Sequence, residues 1–186
     1  MLREFVVLID AKVQEGRQTG KTPTIPEWAS YQRELNEFLA PWGYACKFSP
    51  GTGNLSGSGN SSHHQPSIAF CRQDILGKGF VNGEKPTPKK GFYLFFAYYW
   101  CEHYRECENV KKFDLCIGRS LKNEKEECQK CLAYDKIVIE NACYQKLYDD
   151  LESDLENITD YFLRFANEFN RIPTAYFELE PSSASH

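Results

Sequence analysis

Cysteine and histidine side chains in the second half of the chain are of the types that bind metal. Cys128 and Cys131 form a CxxC, a spacing at which one turn supplies two thiolate ligands to a tetrahedral zinc. The upstream sulfur and imidazole groups, Cys101, His103 and Cys107, are irregularly spaced, and the sequence has no second CxxC. A single CxxC therefore favours unligated cysteines, with no metal and no cofactor. The alternative is a structural zinc on four cysteines: Cys101, Cys107, Cys128 and Cys131.

Catalytic motifs are missing from the sequence. No G-x-S-x-G or H-E-x-x-H occurs, and the paired His63 and His64 have no carboxylate at a recognisable spacing. The turn Gly51-Thr52-Gly53-Asn54 lacks the lysine of a phosphate-binding P-loop. The CxxC is not placed at the strand-to-helix turn of a thioredoxin-like redox site. We therefore expect a protein that is not an enzyme and has no catalytic residues.

A third set of residues is suited to nucleic acid. A polar segment rich in glycine and serine runs from Pro50 to Pro66. Hydroxyl groups, amide groups and glycine N–H groups bind phosphate oxygens, and exposed aromatic rings stack on bases. The alternative is a solubilising loop beside an ordinary hydrophobic strand. The lysines around this segment are Lys47, Lys78, Lys85, Lys89 and Lys90.

The elements that would position these groups are helices at both ends and strands between them. The run Phe92–Trp100, in which seven of nine residues are aromatic, predicts a buried central strand. Alternating or β-branched residues predict further strands at Gly43–Ser49, Ser67–Cys71, Lys112–Gly118 and Ile137–Ile139, and a cysteine-bearing loop follows Trp100. Apolar spacings of three and four predict helices over Met1–Gln18, from Trp28 to before Pro41, and over Leu147–Phe169. The fold class is α+β, with a mostly antiparallel mixed sheet flanked by N-terminal helices and a long C-terminal helix.

Length and composition predict one domain over residues 1–180 and a disordered tail over residues 181–186. The 186 residues suffice for a sizeable core, and the net charge of -4 divides into +3 for residues 1–100 and -7 for residues 101–186. No segment reaches the roughly 20 apolar residues of a membrane span, and the N-terminus lacks the pattern of a signal peptide. We therefore expect a cytoplasmic protein with reduced thiols and no membrane partner.

Several short segments occur in the order seen in one known family. They are Tyr44-Ala-Cys-Lys-Phe-Ser, Gly51-x-Gly53-Asn54, Pro66-x-Ile68-Ala69-Phe70, Gly91-Phe92-Tyr93 through Tyr98-Tyr99, and Phe113-Asp114-Leu115 to Gly118. In order and spacing the chain resembles the N-terminal DNA-recognition domain of McrB and the related MrcB-like domains of McrBC-type modification-dependent restriction systems. The similarity covers about residues 41–120 and extends loosely to the terminal helix.

This resemblance implies an α+β domain that binds duplex DNA containing a modified cytosine, such as methylcytosine, and flips that base into a pocket. In the family the domain is fused to an AAA+ GTPase motor, which recruits an McrC-type nuclease for phage defence in the prokaryotic cytoplasm. The present chain contains no Walker motif, so the motor and the nuclease are expected elsewhere. The alternative is a protein-interaction or effector-sensing module on the same fold, with the acidic C-terminal part as its contact surface.

The resemblance also implies roles for individual residues. In the family, the residue between the two glycines of the GxGN turn enters the duplex, and an aromatic residue just after the proline helps to form the base pocket. Those positions are Thr52 and Ser67 here, and neither is aromatic. The substitutes for the wedge are Leu55, His63 or His64, and those for the stacking surface are Tyr98, Tyr99 or Tyr134. Phosphate contacts are expected from Lys47, Ser49, Asn54, Lys89 and Lys90.

Overall fold

The computed structural model describes residues 2–19, 26–49, 63–64, 67–104, 107–120, 127–140, 144–147 and 155–179. Its helices are α1 (Leu2–Thr19), α2 (Trp28–Leu39), α3 (Ala133–Glu140) and α4 (Ile158–Asn170). Its strands are β1 (Tyr44–Ser49), β2 (His63–His64), β3 (Ser67–Arg72), β4 (Phe92–Tyr104), β5 (Cys107–Arg119) and β6 (Tyr144–Leu147). The α+β prediction is confirmed. Among these helices, none is both long and apolar enough to cross a membrane.

The strands form one sheet in the order β1-β3-β4-β5-β6, and β2 pairs with β4 beyond the end of β3. Each of these ladders is antiparallel. Residues in register alternate between two faces, so Phe48, Ile68 and Phe96 lie on the same side. We call this side the helix face, because α1, α2 and α4 contribute to the core cluster that contains these residues.

Aromatic contacts join the helices to the helix face. The ring of Phe5 on α1 lies 5.4 Å from that of Phe48, and the ring of Phe162 on α4 lies 4.9 Å from that of Phe70. All four side chains are buried. Burial of this kind contributes about 1.5–3 kcal/mol for each large apolar side chain, so the helix face is the main source of stability.

Polar side chains of α2 cover the edge strand β1. The backbone N–H of Cys46 donates to Asn36 Oδ1 at 2.8 Å, and that of Phe48 donates to Gln32 Oε1 at 3.2 Å. An uncovered edge strand presents unpaired N–H groups that can recruit another strand. The side chains of α2 therefore provide hydrogen-bond acceptors for N–H groups of this edge, and the helix also packs against the strand.

A buried arginine joins β3 to the end of α4. Arg72 is 4% exposed, and its Nη1 donates to the carbonyl oxygens of Phe169 at 2.6 Å and Ile172 at 2.7 Å. Its Nε and Nη2 donate to the two carboxylate oxygens of Asp74 at 3.0 and 2.8 Å. Because carbonyl groups at a helix C-terminus lack helical partners and carry partial negative charge, a guanidinium group is well placed there.

Three predicted elements are wrong in type or extent. The loop expected after Trp100 is instead the continuation of a hairpin, whose register runs from Phe92 opposite Arg119 to Tyr104 opposite Cys107. The run Ile137–Ile139 lies in α3, where Ala133 and Ile137 are buried one helical turn apart. Leu147 ends β6, opposite Lys112, and the terminal helix begins only at Ile158. In each case pairing or packing with distant residues overrides the local pattern.

Candidate nucleic-acid interface

The side of the sheet opposite the helix face, which we call the second face, carries a cross-strand row of four residues. Lys47, Ala69, Phe95 and Cys116 are in register across β1, β3, β4 and β5. The side chain of Lys47 is exposed, Ala69 is buried, and Phe95 and Cys116 are half-buried. Ala69 belongs to a small apolar cluster, separate from the main core, that includes Cys71, Tyr93, Leu76 and Phe95. The second face therefore combines a lysine with a partly exposed ring.

Residues 76–91 connect β3 to β4 and place two lysines beside this face. The Ser120 hydroxyl donates to the carbonyl oxygen of Lys89 at 2.6 Å, and the Ser120 N–H donates to that of Gly91 at 2.9 Å. The Tyr93 hydroxyl lies 3.1 Å from the Pro88 carbonyl oxygen, to which it can donate. We call Lys89, Lys90 and Gly91 the lysine corner. Two of its backbone carbonyl groups accept hydrogen bonds from Ser120, and the preceding Pro88 carbonyl group is within reach of the Tyr93 hydroxyl.

Asn82 completes the support of the corner. Its side chain donates to the carbonyl oxygen of Phe92 at 2.7 Å and accepts from the Phe92 N–H at 3.0 Å, as a neighbouring strand would. Gly91 has φ +79°, and a Cβ atom built there would lie only 2.3 Å from Asn82 Oδ1. Position 91 therefore requires glycine both for its backbone angle and for space.

The part of the chain that contains β1, β3 and the connection to β4 differs in sign of charge from the rest. Residues 43–91 contain six Lys or Arg and two Asp or Glu, a balance of +4, whereas the whole chain carries -4. The remaining residues therefore carry -8. Lys47, Lys85 and Lys89 are exposed, while Lys90 is half-buried with its Nζ 3.4 Å from Glu127 Oε2. A local positive surface on an acidic protein is the electrostatic pattern of a localised polyanion site.

We call the polar segment Gly51–Pro66, which contains the expected wedge residues, the reading segment, and the residues that flank it lie at one end of this surface. Ser49 pairs with Ser67, which in turn pairs with Ala97 of β4, and His63 and His64 pair with Cys101 and Trp100. Thr52, Asn54 and Leu55 lie outside the described residues, as do the side chains of Ser49, His63 and His64. The side chain of Ser67 is buried, with 6% exposed.

The segment and the lysine corner lie toward opposite ends of β4. The corner precedes Phe92, and β2 pairs at Trp100, so about eight residues, or roughly 26 Å of extended strand, separate them. One turn of duplex DNA is about 34 Å long. The separation along β4 is shorter than one turn of a duplex, so a single duplex is long enough to reach from the lysine corner to the β2–β4 pairing at Trp100.

The predicted stacking residues are dispersed. Tyr98 is fully buried on the helix face, where its hydroxyl donates to Asp10 Oδ1 at 2.6 Å, so its assignment to the base pocket is wrong. Tyr134, on α3, is half-buried with the Arg119 guanidinium 5.5 Å from its ring centre. Arg119 pairs with Phe92, which puts Tyr134 toward the lysine-corner end rather than near the reading segment. The side chain of Tyr99 lies outside the described residues.

Sequence reasoning did not identify Phe95, Asn82 or Ser120. Phe95 is a partly exposed ring of the second face, and the alternation of β4, with Leu94 and Phe96 buried on the helix face, could have indicated it. Asn82 and Ser120 lie 10 and 31 residues from the backbone groups that they bind. Nothing in the local sequence of either residue indicates that role.

The two cysteines of the CxxC are buried as thiols. Cys128 is fully buried and Cys131 is 5% exposed, and the Cys131 thiol donates to the Cys128 carbonyl oxygen at 3.2 Å. Burial raises the pKa of Cys128 to about 11 and also raises the pKa of Cys131. Among the described residues, no group of three or more His, Cys, Asp and Glu side chains is arranged to hold a metal. The side chains of Cys101 and Cys107 lie outside that part of the chain.

The buried thiols predict a loss of stability in alkaline solution. Burial raises the pKa of Cys46 to about 12 and those of Cys71 and Cys128 to about 11, from an ordinary value of 9.0. The unfolded chain releases these protons at lower pH than the folded chain. The free energy of unfolding should therefore fall as the pH rises from about 9 to about 11, by up to about 1.4 kcal/mol per pH unit for each thiol.

Urea unfolding at neutral pH and near pH 10 measures this slope. The variant Cys46→Val removes one of the three thiols at similar volume, so its slope above pH 9 should be shallower than that of the parent. An unfolding free energy that stays constant between neutral pH and about pH 10 would contradict the prediction.

Comparison with known proteins gives no relative to which the chain can be assigned. The sequence matches no protein-family model, and no curated protein or solved structure matches it.

Proposed function

We propose that this domain is a non-catalytic, DNA-binding specificity domain that recognises modified cytosine in duplex DNA, as part of a McrBC-like restriction system. The observation that carries the proposal is the pair of exposed lysines at the second face, Lys47 in its cross-strand row and Lys89 at its corner, in a segment (residues 43–91) whose balance is +4 in a chain of net charge -4. The resemblance of the ordered segments to the McrB family is the basis for proposing modified cytosine as the target and a McrBC-like restriction system as the context. The motor, the nuclease and a prokaryotic cytoplasm belong to the same proposal.

In this proposal, phosphate binding and base reading are performed by different parts of the second face. Lys47 and Lys89 have exposed side chains on elements whose backbones are fixed by sheet pairing and by Ser120. Such contacts position the duplex without reading its sequence. The segment between Ser49 and Ser67 supplies the wedge and the pocket, since an extruded base costs a few kcal/mol of stacking that must be replaced. Phe95 is an additional ring on which a base could stack.

Electrophoretic shift assays with unmodified, methylated and hydroxymethylated duplexes of one sequence test the proposal. The expected result is a tighter complex with one of the modified duplexes, at salt of about 50 mM. Absence of binding to every duplex at this salt would refute the function. Equal binding to all three would retain DNA binding but remove the specificity for a modified base.

Substitution of Lys89 by alanine should weaken binding to all duplexes equally. Loss of one phosphate contact should lower affinity about fivefold near 50 mM salt and reduce the slope of log affinity against log salt by about 0.9. The matched control is Lys12→Ala, since Lys12 lies on α1 and is paired with Glu15 at 2.8 Å. A change in modification preference with Lys89→Ala, or an equal effect of Lys12→Ala, would contradict the assigned role.

A protein-interaction module is the second candidate, and a groove in the helical layer favours it. The groove has a volume of about 300 Å³, and Phe38 at its edge is 44% exposed. Exposed rings beside an apolar groove are typical of contact surfaces. Partner capture that survives neutralisation of Lys47 and Lys89 would favour this candidate over DNA binding. The apolar residues of the groove are Leu2, Leu35, Phe38, Leu39, Phe162 and Leu163.

A further inference from the structure

The two lysines of the corner are adjacent in sequence but have different surroundings. The side chain of Lys89 is exposed, and its carbonyl group is fixed by Ser120. The side chain of Lys90 is 40% exposed, and its Nζ lies 3.4 Å from Glu127 Oε2. The Cδ of Lys90 also lies 3.7 Å from the position of a Cβ built on Gly83, so its aliphatic stem passes close to the backbone of residues 76–91.

Glu127 has an unsatisfied oxygen that faces this lysine. Its Oε2 atom is buried and accepts no hydrogen bond from the residues that the structure describes, although the side chain as a whole is 35% exposed. A buried carboxylate oxygen without a hydrogen bond is unfavourable unless a cation lies near it. The ammonium group of Lys90 is at ion-pair distance from that atom, so Lys90 compensates the charge of Glu127.

We propose that Glu127 withholds Lys90 from the DNA backbone, so that the lysine corner contacts phosphate through Lys89 while the ion pair is intact. This inference rests on the proposed DNA-binding function. A phosphate and the Glu127 carboxylate compete for the same ammonium group, and a phosphate at Lys90 would also be repelled by the carboxylate. Glu127 is therefore a residue that sets affinity and the number of phosphate contacts without itself touching the duplex.

A double-mutant cycle with an unmodified duplex tests the proposal. Glu127→Gln keeps the shape of the side chain and removes its charge. It should tighten binding about fivefold near 50 mM salt and steepen the slope of log affinity against log salt by about 0.9, because one phosphate contact is added. In a Lys90→Ala background, the same substitution should leave the slope unchanged. Glu84→Gln is the matched control, because Glu84 is an exposed acid of the same basic segment and its removal changes the net charge equally.

The outcomes separate this inference from the proposed function. If the parent domain binds duplexes but Glu127→Gln leaves the salt slope unchanged, the withholding role is refuted and DNA binding stands. The same conclusion follows if Glu84→Gln steepens the slope as much, or if the effect of Glu127→Gln persists without Lys90. If neither the parent domain nor Glu127→Gln binds any duplex, both the inference and the proposed function are overturned.

Discussion

Replacement of Arg72 by methionine is expected to lower the free energy of unfolding by about 2–4 kcal/mol, because two backbone carbonyl oxygens lose a charged donor at roughly 1–3 kcal/mol each, whereas Asp74 is 52% exposed and stays solvated. Methionine fills a similar volume but cannot donate to the Phe169 and Ile172 carbonyl oxygens. The guanidinium group also lies 5.4 and 5.3 Å from the ring centres of Phe169 and Phe177, and these contacts would be lost as well. The C-terminus of α4 would then lose one of its polar links to the sheet, while the Tyr44 hydroxyl would still donate to Asn170 Oδ1.

Urea unfolding followed by circular dichroism measures this effect. The matched control is Arg164→Met on the same helix, because Arg164 is 67% exposed and forms an i,i+4 pair with Glu168 at 3.3 Å. That substitution should change the unfolding free energy by about 0.5 kcal/mol or less. A loss at Arg72 below about 1 kcal/mol would show that the network contributes little beyond its desolvation cost.

The substitution Gly91→Ala is expected to cost about 3 kcal/mol or more. A left-handed backbone costs a non-glycine residue roughly 1–2 kcal/mol, and at φ +79° Gly91 has that conformation. A Cβ at this position would also lie 2.7 Å from Asn82 Cα, a backbone atom that cannot turn aside. Asn82 must therefore shift, with damage to its two hydrogen bonds to Phe92.

Gly43→Ala separates the two contributions. Gly43 has φ +77°, nearly the same angle as Gly91, but no atom of the described residues lies within 4 Å of a Cβ built there. Its substitution should cost only about 1 kcal/mol, from backbone strain alone. Chemical unfolding of both variants measures the difference between their losses of unfolding free energy. Equal losses at the two positions would mean that the contact with Asn82 contributes nothing to the cost at Gly91. If the domain binds DNA as proposed, Gly91→Ala should also weaken binding by displacing Lys89.

The second face explains how an acidic protein could bind a polyanion. The exposed lysines near it are Lys47 of β1 and those of residues 76–91, and the acidic excess is carried by the rest of the chain. Interactions between exposed charges are screened beyond about 10 Å at 0.1 M salt, so the local balance rather than the total would govern binding. The affinity of the domain for any duplex is therefore expected to fall strongly as the salt concentration rises.

The sequence by itself determined the elements whose patterns are local. Helices α1 and α2 and strands β1 and β3 were predicted within a few residues of their observed limits, because side-chain alternation and helical spacing are properties of short windows. The α+β class followed from their order. The sequence also placed lysines on both sides of a glycine- and serine-rich segment, which gave the candidate site its components.

Only the tertiary structure decided which of those components share a surface. Tyr98 and Phe95 belong to the same aromatic run, yet the packing of α1 buries Tyr98 against Asp10, while Phe95 lies on the opposite side in the same cross-strand row as Lys47. Leu147 and Ile137 have apolar patterns that fit either a helix or a strand, and their partners selected the outcome. The corner built by Asn82 and Ser120 depends on contacts between distant segments, which no short window of sequence contains.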